Sequence, residues 1–70
     1  MESKNLIASL QEEIGRVKKV VEVYEEVPKG AGMFAANLMK KDVEEGEKAI
    51  SEMDTIEMIR ALERLRAWEL

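Results

Sequence analysis

A chain of 70 residues allows one domain, and one this short buries only about 60% of the surface its unfolded form exposes. It has no Cys and no His, which excludes disulfides and thiolate metal sites and removes the usual general base and metal ligand. The net charge of −4 argues against duplex nucleic acid as a partner, because that binding needs an electropositive face.

A small scaffold without disulfide or metal has self-association left as its staple. The apolar runs are far too short to span a bilayer. The polar start, Met1-Glu2-Ser3-Lys4-Asn5, leads into no signal-peptide core, so the expected location is the cytoplasm with no membrane partner. No stretch alternates with a period of two, and the composition on both sides of one break is helical. The expected fold is all-α: a long helix, a Pro/Gly loop, a second long helix and a shorter third, packed as a homo-oligomeric bundle, a dimer or tetramer.

The first helix is predicted over 4–26, with Ser3 or Asn5 as N-cap. Ile7, Leu10, Ile14, Val17, Val21 and Tyr24 recur at spacings of three and four, a coiled-coil seam widened by Val20 and Val23. Glu12 and Arg16 are placed to pair one turn apart. At ~33 Å this helix is expected to be too long for two shorter helices of one chain to cover.

The break is Val27-Pro28-Lys29-Gly30-Ala31-Gly32, which holds the single proline and two of the four glycines. It reads in two ways. Glycines allow close backbone approach and the following helix start presents free N–H groups, which with Lys29 suits an anion. Alternatively it is a plain connection, with Pro28 as helix stop and Gly30 as C-cap. Spacing alone favours the connection, since neither phosphate-loop pattern is complete.

The second helix is predicted over 33–53, with Phe34, Leu38, Val43, Ile50 and Met53 on or near its inward face. Ala35, Ala36, Gly46 and Ala49 are small enough to admit a neighbouring helix, and Glu44 and Lys48 pair on the wet side. Asn37 and Lys40, a turn apart, suit a base edge and a phosphate respectively, against the plainer reading of a solvated flank. The third helix is predicted over 54–68. Asp54 followed by Glu57 is a capping-box-like start, with Ile59, Leu62 and Leu65 facing the core and Ile56, Met58 and Trp68 flanking.

Arg60 and Arg64 lie at i, i+4, where a phosphate between them would relieve their repulsion. Neutralisation by Glu57 and Glu63 is the competing reading, and the favoured one. Tyr24, Phe34 and Trp68 are the aromatics; each is a candidate base-stacking surface, Phe34 being first of all a core residue, while Trp68 is also placed to cover a subunit interface. The pairs Glu12/Glu13, Glu25/Glu26 and Glu44/Glu45 diverge on a helix. With Ser3, Ser9, Ser51 and Thr55 as the only hydroxyl nucleophiles apart from Tyr24, no constellation for covalent catalysis emerges, so no enzyme and no cofactor are expected.

The segment Val27-Pro28-x-Gly30-Ala31-x-x-Phe34-x-Ala36, with Ala49-Ile50-x-x-x-Asp54-x-x-x-Met58 further on, resembles small phage-encoded helical proteins similar to the anti-CBASS sponges that sequester cyclic dinucleotides. The likeness covers residues 20–65. The chain departs from that pattern in Gly32-Met33 before Phe34, which displaces the loop by a residue, and in Leu62 where an aromatic is expected. The resemblance implies a homo-oligomer that holds a cyclic dinucleotide, such as cyclic GMP-AMP, without cleaving it, so blocking CBASS defence in the host cytoplasm. The candidate ligand residues are then Tyr24, Pro28, Lys29, Gly30, Ala31, Phe34, Asn37, Lys40, Arg60 and Arg64. The competing reading is a helical protein–protein interaction module, or an inhibitor of a host protein.

Overall fold

The computed structural model describes residues 3–68, and side-chain surroundings from residue 5. Its helices are α1 (Ser3–Glu25), α2 (Met33–Ser51) and α3 (Thr55–Arg66), with a short 3-10 turn at Pro28–Gly30 between the first two. No strand occurs among the described residues. Asn5 lies inside α1 and so is not its cap; the capping end of that helix, with the Ser3 side chain, lies outside the described residues.

α1 packs on both α2 and α3, and these two pack on each other. The middle of the three-four seam of α1 is therefore covered within the chain: Leu10, Ile14, Val17, Val20 and Val21 are all buried, while Ile7 and Tyr24 at its ends are partly buried and Val23 is exposed. The buried residues meet Ala36, Met39, Val43 and Ala49 of α2 and Met58, Ala61, Leu62 and Leu65 of α3. The expectation that other copies must cover this seam is corrected. α2 and α3 sit beside α1 together over half of its length, and α2 alone covers the rest.

The inward face of α2 also differs from expectation. Phe34 is 78% exposed, Leu38 41% and Met53 69%, and Met39 is buried in their place together with the small residues Ala36, Gly46 and Ala49. Gly46 explains why: a Cβ there would already stand 3.4 Å from Ile14 and 3.5 Å from Leu10. Close approach of α1 requires a small residue at that level, and the face carrying Gly46 is therefore the one turned inward. On α3, Ile59 is exposed where a core position was expected, and Met58 and Ala61 take the inward face instead.

Asp54 caps α3 as its position suggests, its Oδ1 accepting from the Glu57 N–H at 3.1 Å. Asp54→Ala is expected to cost about 1 kcal/mol in urea unfolding; an unchanged midpoint would remove the cap from the stability of the α2–α3 turn. Arg16 pairs with Glu13 rather than Glu12, and its Nη2 also donates to the Leu65 carbonyl at 2.9 Å, which ties α3 to α1. Glu44 and Lys48 form no ion pair. No helix among the described residues is long and apolar enough to cross a membrane.

Candidate functional site

The connection between α1 and α2 closes one end of the molecule. α1 stops at Glu25, well before Gly30, so Gly30 is not its C-cap. Pro28 opens the 3-10 turn, with the Ala31 N–H donating to its carbonyl at 3.4 Å. Lys29 and Gly30 both have positive φ, 64° and 71°. That region is routine for glycine and uncommon for a residue with a side chain.

Gly32 follows and occupies the N-cap position of α2. A Cβ on it would fall 2.1 Å from the Tyr24 carbonyl oxygen. The hairpin therefore closes backbone against backbone at Gly32. Because glycine has no side chain to accept a bond, the first-turn N–H groups of Met33, Phe34 and Ala35 have no side-chain cap.

Six of the sequence-predicted residues gather at this end. Pro28, Lys29, Gly30, Ala31 and Phe34 are exposed, and Tyr24 is half-buried against the core. Lys29 has no ion-pair partner. Asn37 is exposed on the next turn of α2. Lys40 is engaged by Glu25 across the hairpin, so its charge is already matched.

The two arginines are not brought here. Arg60 binds Glu57 at 2.9 Å, and Arg64 lies 3.2 Å from Glu45 and 3.8 Å from Asp42. Asp42 also accepts from the Trp68 indole N–H at 2.7 Å, so Trp68 is tied into its own chain. These contacts set α3's C-terminal end level with Asp42, about 13 Å along α2 from its start at Met33. An open cleft of about 370 Å³ lies on that far half, lined by Glu45, Lys48, Ala49, Glu52, Glu57 and Arg64. Of its two cations Arg64 pairs with Glu45 while Lys48 forms no ion pair, and none of the loop residues enters it.

Sequence reasoning missed one feature of the hairpin end, and helical geometry defines it. Take the buried stripe of α1 and of α2 as inward, and turn roughly 100° per residue. Glu25 and Lys40 then share one flank of the helix pair, where they join. Arg16, Asp42 and Glu45 share the other, and it is there that α3 packs. Val23, Phe34 and Leu38 lie on this second flank too, but beyond the end of α3. The groove that α3 fills over half the molecule thus continues past Trp68, where no described residue fills it. Its walls are Val23 (47% exposed), Leu38 and Phe34, with Val27 exposed just beyond. The amphipathic pattern carries no sign of this, because the level α3 reaches is set by the turn at 52–54 and by the helix's own 12 residues.

Comparison of the chain with family models, with curated proteins and with solved structures gave no match.

Proposed function

We propose that this chain is a non-catalytic binding protein that works through its hairpin end as a helical interaction module. The observation that carries the reading is Phe34. A phenylalanine 78% exposed beside Val23, Val27 and Leu38 leaves a large apolar surface in water. Isolated exposed apolar residues are ordinary, whereas a clustered patch with an aromatic at its centre is the composition of a binding anchor. Val23 of α1 and Phe34 and Leu38 of α2 lie on two packed helices, so they are presented rigidly.

The test is a photoreactive benzoylphenylalanine introduced in place of Phe34, with the same probe in place of the exposed Glu63 as control. Light is expected to give covalent adducts to a protein at position 34 and few or none at position 63. Equal labelling at both positions would overturn the reading.

A second reading, sequestration of a cyclic dinucleotide to blunt CBASS defence, is favoured by one juxtaposition. An exposed aromatic face at Phe34 adjoins an unpaired cation, Lys29, and the uncapped start of α2. A base stacks on the first and a phosphate suits the others. One chain offers one unpaired loop lysine for two phosphates, so a second chain would have to supply the other. In calorimetry with cyclic GMP-AMP and related cyclic dinucleotides, Lys29→Ala is expected to weaken binding by about 1.5–3 kcal/mol. Absence of heat with all of them would remove this reading and leave the first intact.

A further inference from the structure

We infer that Met53 is a site of reversible oxidation, where peroxide converts the thioether to the sulfoxide on the folded protein. The site is the turn between α2 and α3, at the opposite end of α2 from Phe34, and the inference is independent of the reading of the hairpin end.

The turn is built from backbone hydrogen bonds. The Met53 N–H donates to the Ile50 carbonyl and the Asp54 N–H to the Ala49 carbonyl, each at 3.0 Å. These two bonds are the Schellman closure of a helix, which needs one left-handed residue just past the helix end. Met53 is that residue, with φ 55°. Glycine is the usual occupant, because a side chain strains that conformation. Here the position holds a long thioether instead, and holds it in water, since Met53 is 69% exposed.

The other methionines give the contrast. Met39 is 0% and Met58 3% exposed, both in the core, while Met33 at the start of α2 is 38% exposed. Met1 lies outside the described residues. The chain has no cysteine, so no thiol of its own takes the oxidant first.

In the reaction the sulfur lone pair attacks one peroxide oxygen and the O–O bond breaks. The sulfur gains an S–O bond and is oxidised by two electrons. The departing hydroxide takes the proton of the transferred oxygen and leaves as water. The product side chain is polar where the thioether was apolar. At positions 39 and 58 the new oxygen would lie in the core; at position 53 it meets water, so the mark is compatible with the fold. The same exposure admits a thiol-dependent sulfoxide reductase. Two thiols of that enzyme then supply the two electrons and close to a disulfide, and the oxygen leaves as water.

The experiment treats the folded chain with hydrogen peroxide and follows each methionine by peptide mass spectrometry. Met53 is expected to oxidise at least about tenfold faster than Met39 and Met58, and faster than Met33. In concentrated urea all four are expected to react alike. Chains oxidised at Met53 are expected to keep their helicity by circular dichroism, and methionine sulfoxide reductase to restore the original mass. A Met53 rate within about twofold of the buried methionines in the folded chain overturns the assignment. So does loss of helicity on oxidation at Met53, or a sulfoxide that the reductase leaves in place.

Discussion

Gly32→Ala is expected to destabilise the protein by about 3 kcal/mol or more, the steepest cost of a methyl added at any of its four glycines. The added Cβ falls 2.1 Å from the Tyr24 carbonyl oxygen and 2.9 Å from its carbonyl carbon. Both are backbone atoms, so no rotamer change relieves the clash. α1 and the start of α2 must move apart. The φ of −93° at Gly32 is one that any residue adopts, so space and not backbone conformation demands glycine.

Two other glycines give the contrast. Gly30 has φ +71° but only the Met33 side chain nearby, at 3.7 Å, so Gly30→Ala is limited to the left-handed penalty of about 1–2 kcal/mol. Gly15 meets nothing within 4 Å in the middle of α1, and Gly15→Ala is expected to stabilise by about 0.5–1 kcal/mol. Urea unfolding of the three variants gives the order Gly15→Ala, Gly30→Ala, Gly32→Ala from most to least stable. A Gly32 variant as stable as the Gly30 variant would mean that the hairpin does not close at this contact.

Val21→Asp is expected to unfold the chain. Val21 is 6% exposed on the face of α1 that α2 covers. A carboxylate there finds no cation and loses its hydration, a cost of about 3–5 kcal/mol for an unpaired buried charge. A domain of this size holds roughly 4–10 kcal/mol in total, so little or nothing remains. Circular dichroism reads the result as lost helicity at 25 °C. The disruption should appear at the lowest concentration measurable, since this part of the seam is buried within one chain. A variant that keeps its helicity as a monomer would place Val21 outside the core.

Much of the helical framework was legible in the sequence. The proline and glycines at 27–32 mark the break because they remove a donor and favour turns. Asp54 and Glu57 mark the start of α3 because the cap is a local bond. The seam of α1 is legible because the apolar period of three and four has a single solution on that helix. The candidate site was less so. Lys29 and Phe34 do lie at one end, but Lys40 is matched by Glu25 and the arginines by Glu57, Glu45 and Asp42. Every one of those carboxylates was visible in the sequence, yet only Glu57 sits one helical turn from its partner in a way that composition reveals. Glu25 meets Lys40 across a hairpin, and Asp42 meets Arg64 across a helix interface.

The sequence by itself determined that this protein is helical, where its chain turns, and which face of α1 is inside, because each of these depends on residues within a few positions of one another. Which face of α2 is inside, and which of two loop glycines is indispensable, only the tertiary structure decided. Hydrophobicity favours Phe34 and Leu38 for the core, but the face of α2 turned inward is Ala36, Met39, Val43, Gly46 and Ala49, with Gly46 where α1 comes closest. The uncovered groove belongs to the same class. It exists because α3 is 12 residues long against 19 for α2 and 23 for α1, and a helix can cover its neighbours only as far as it reaches.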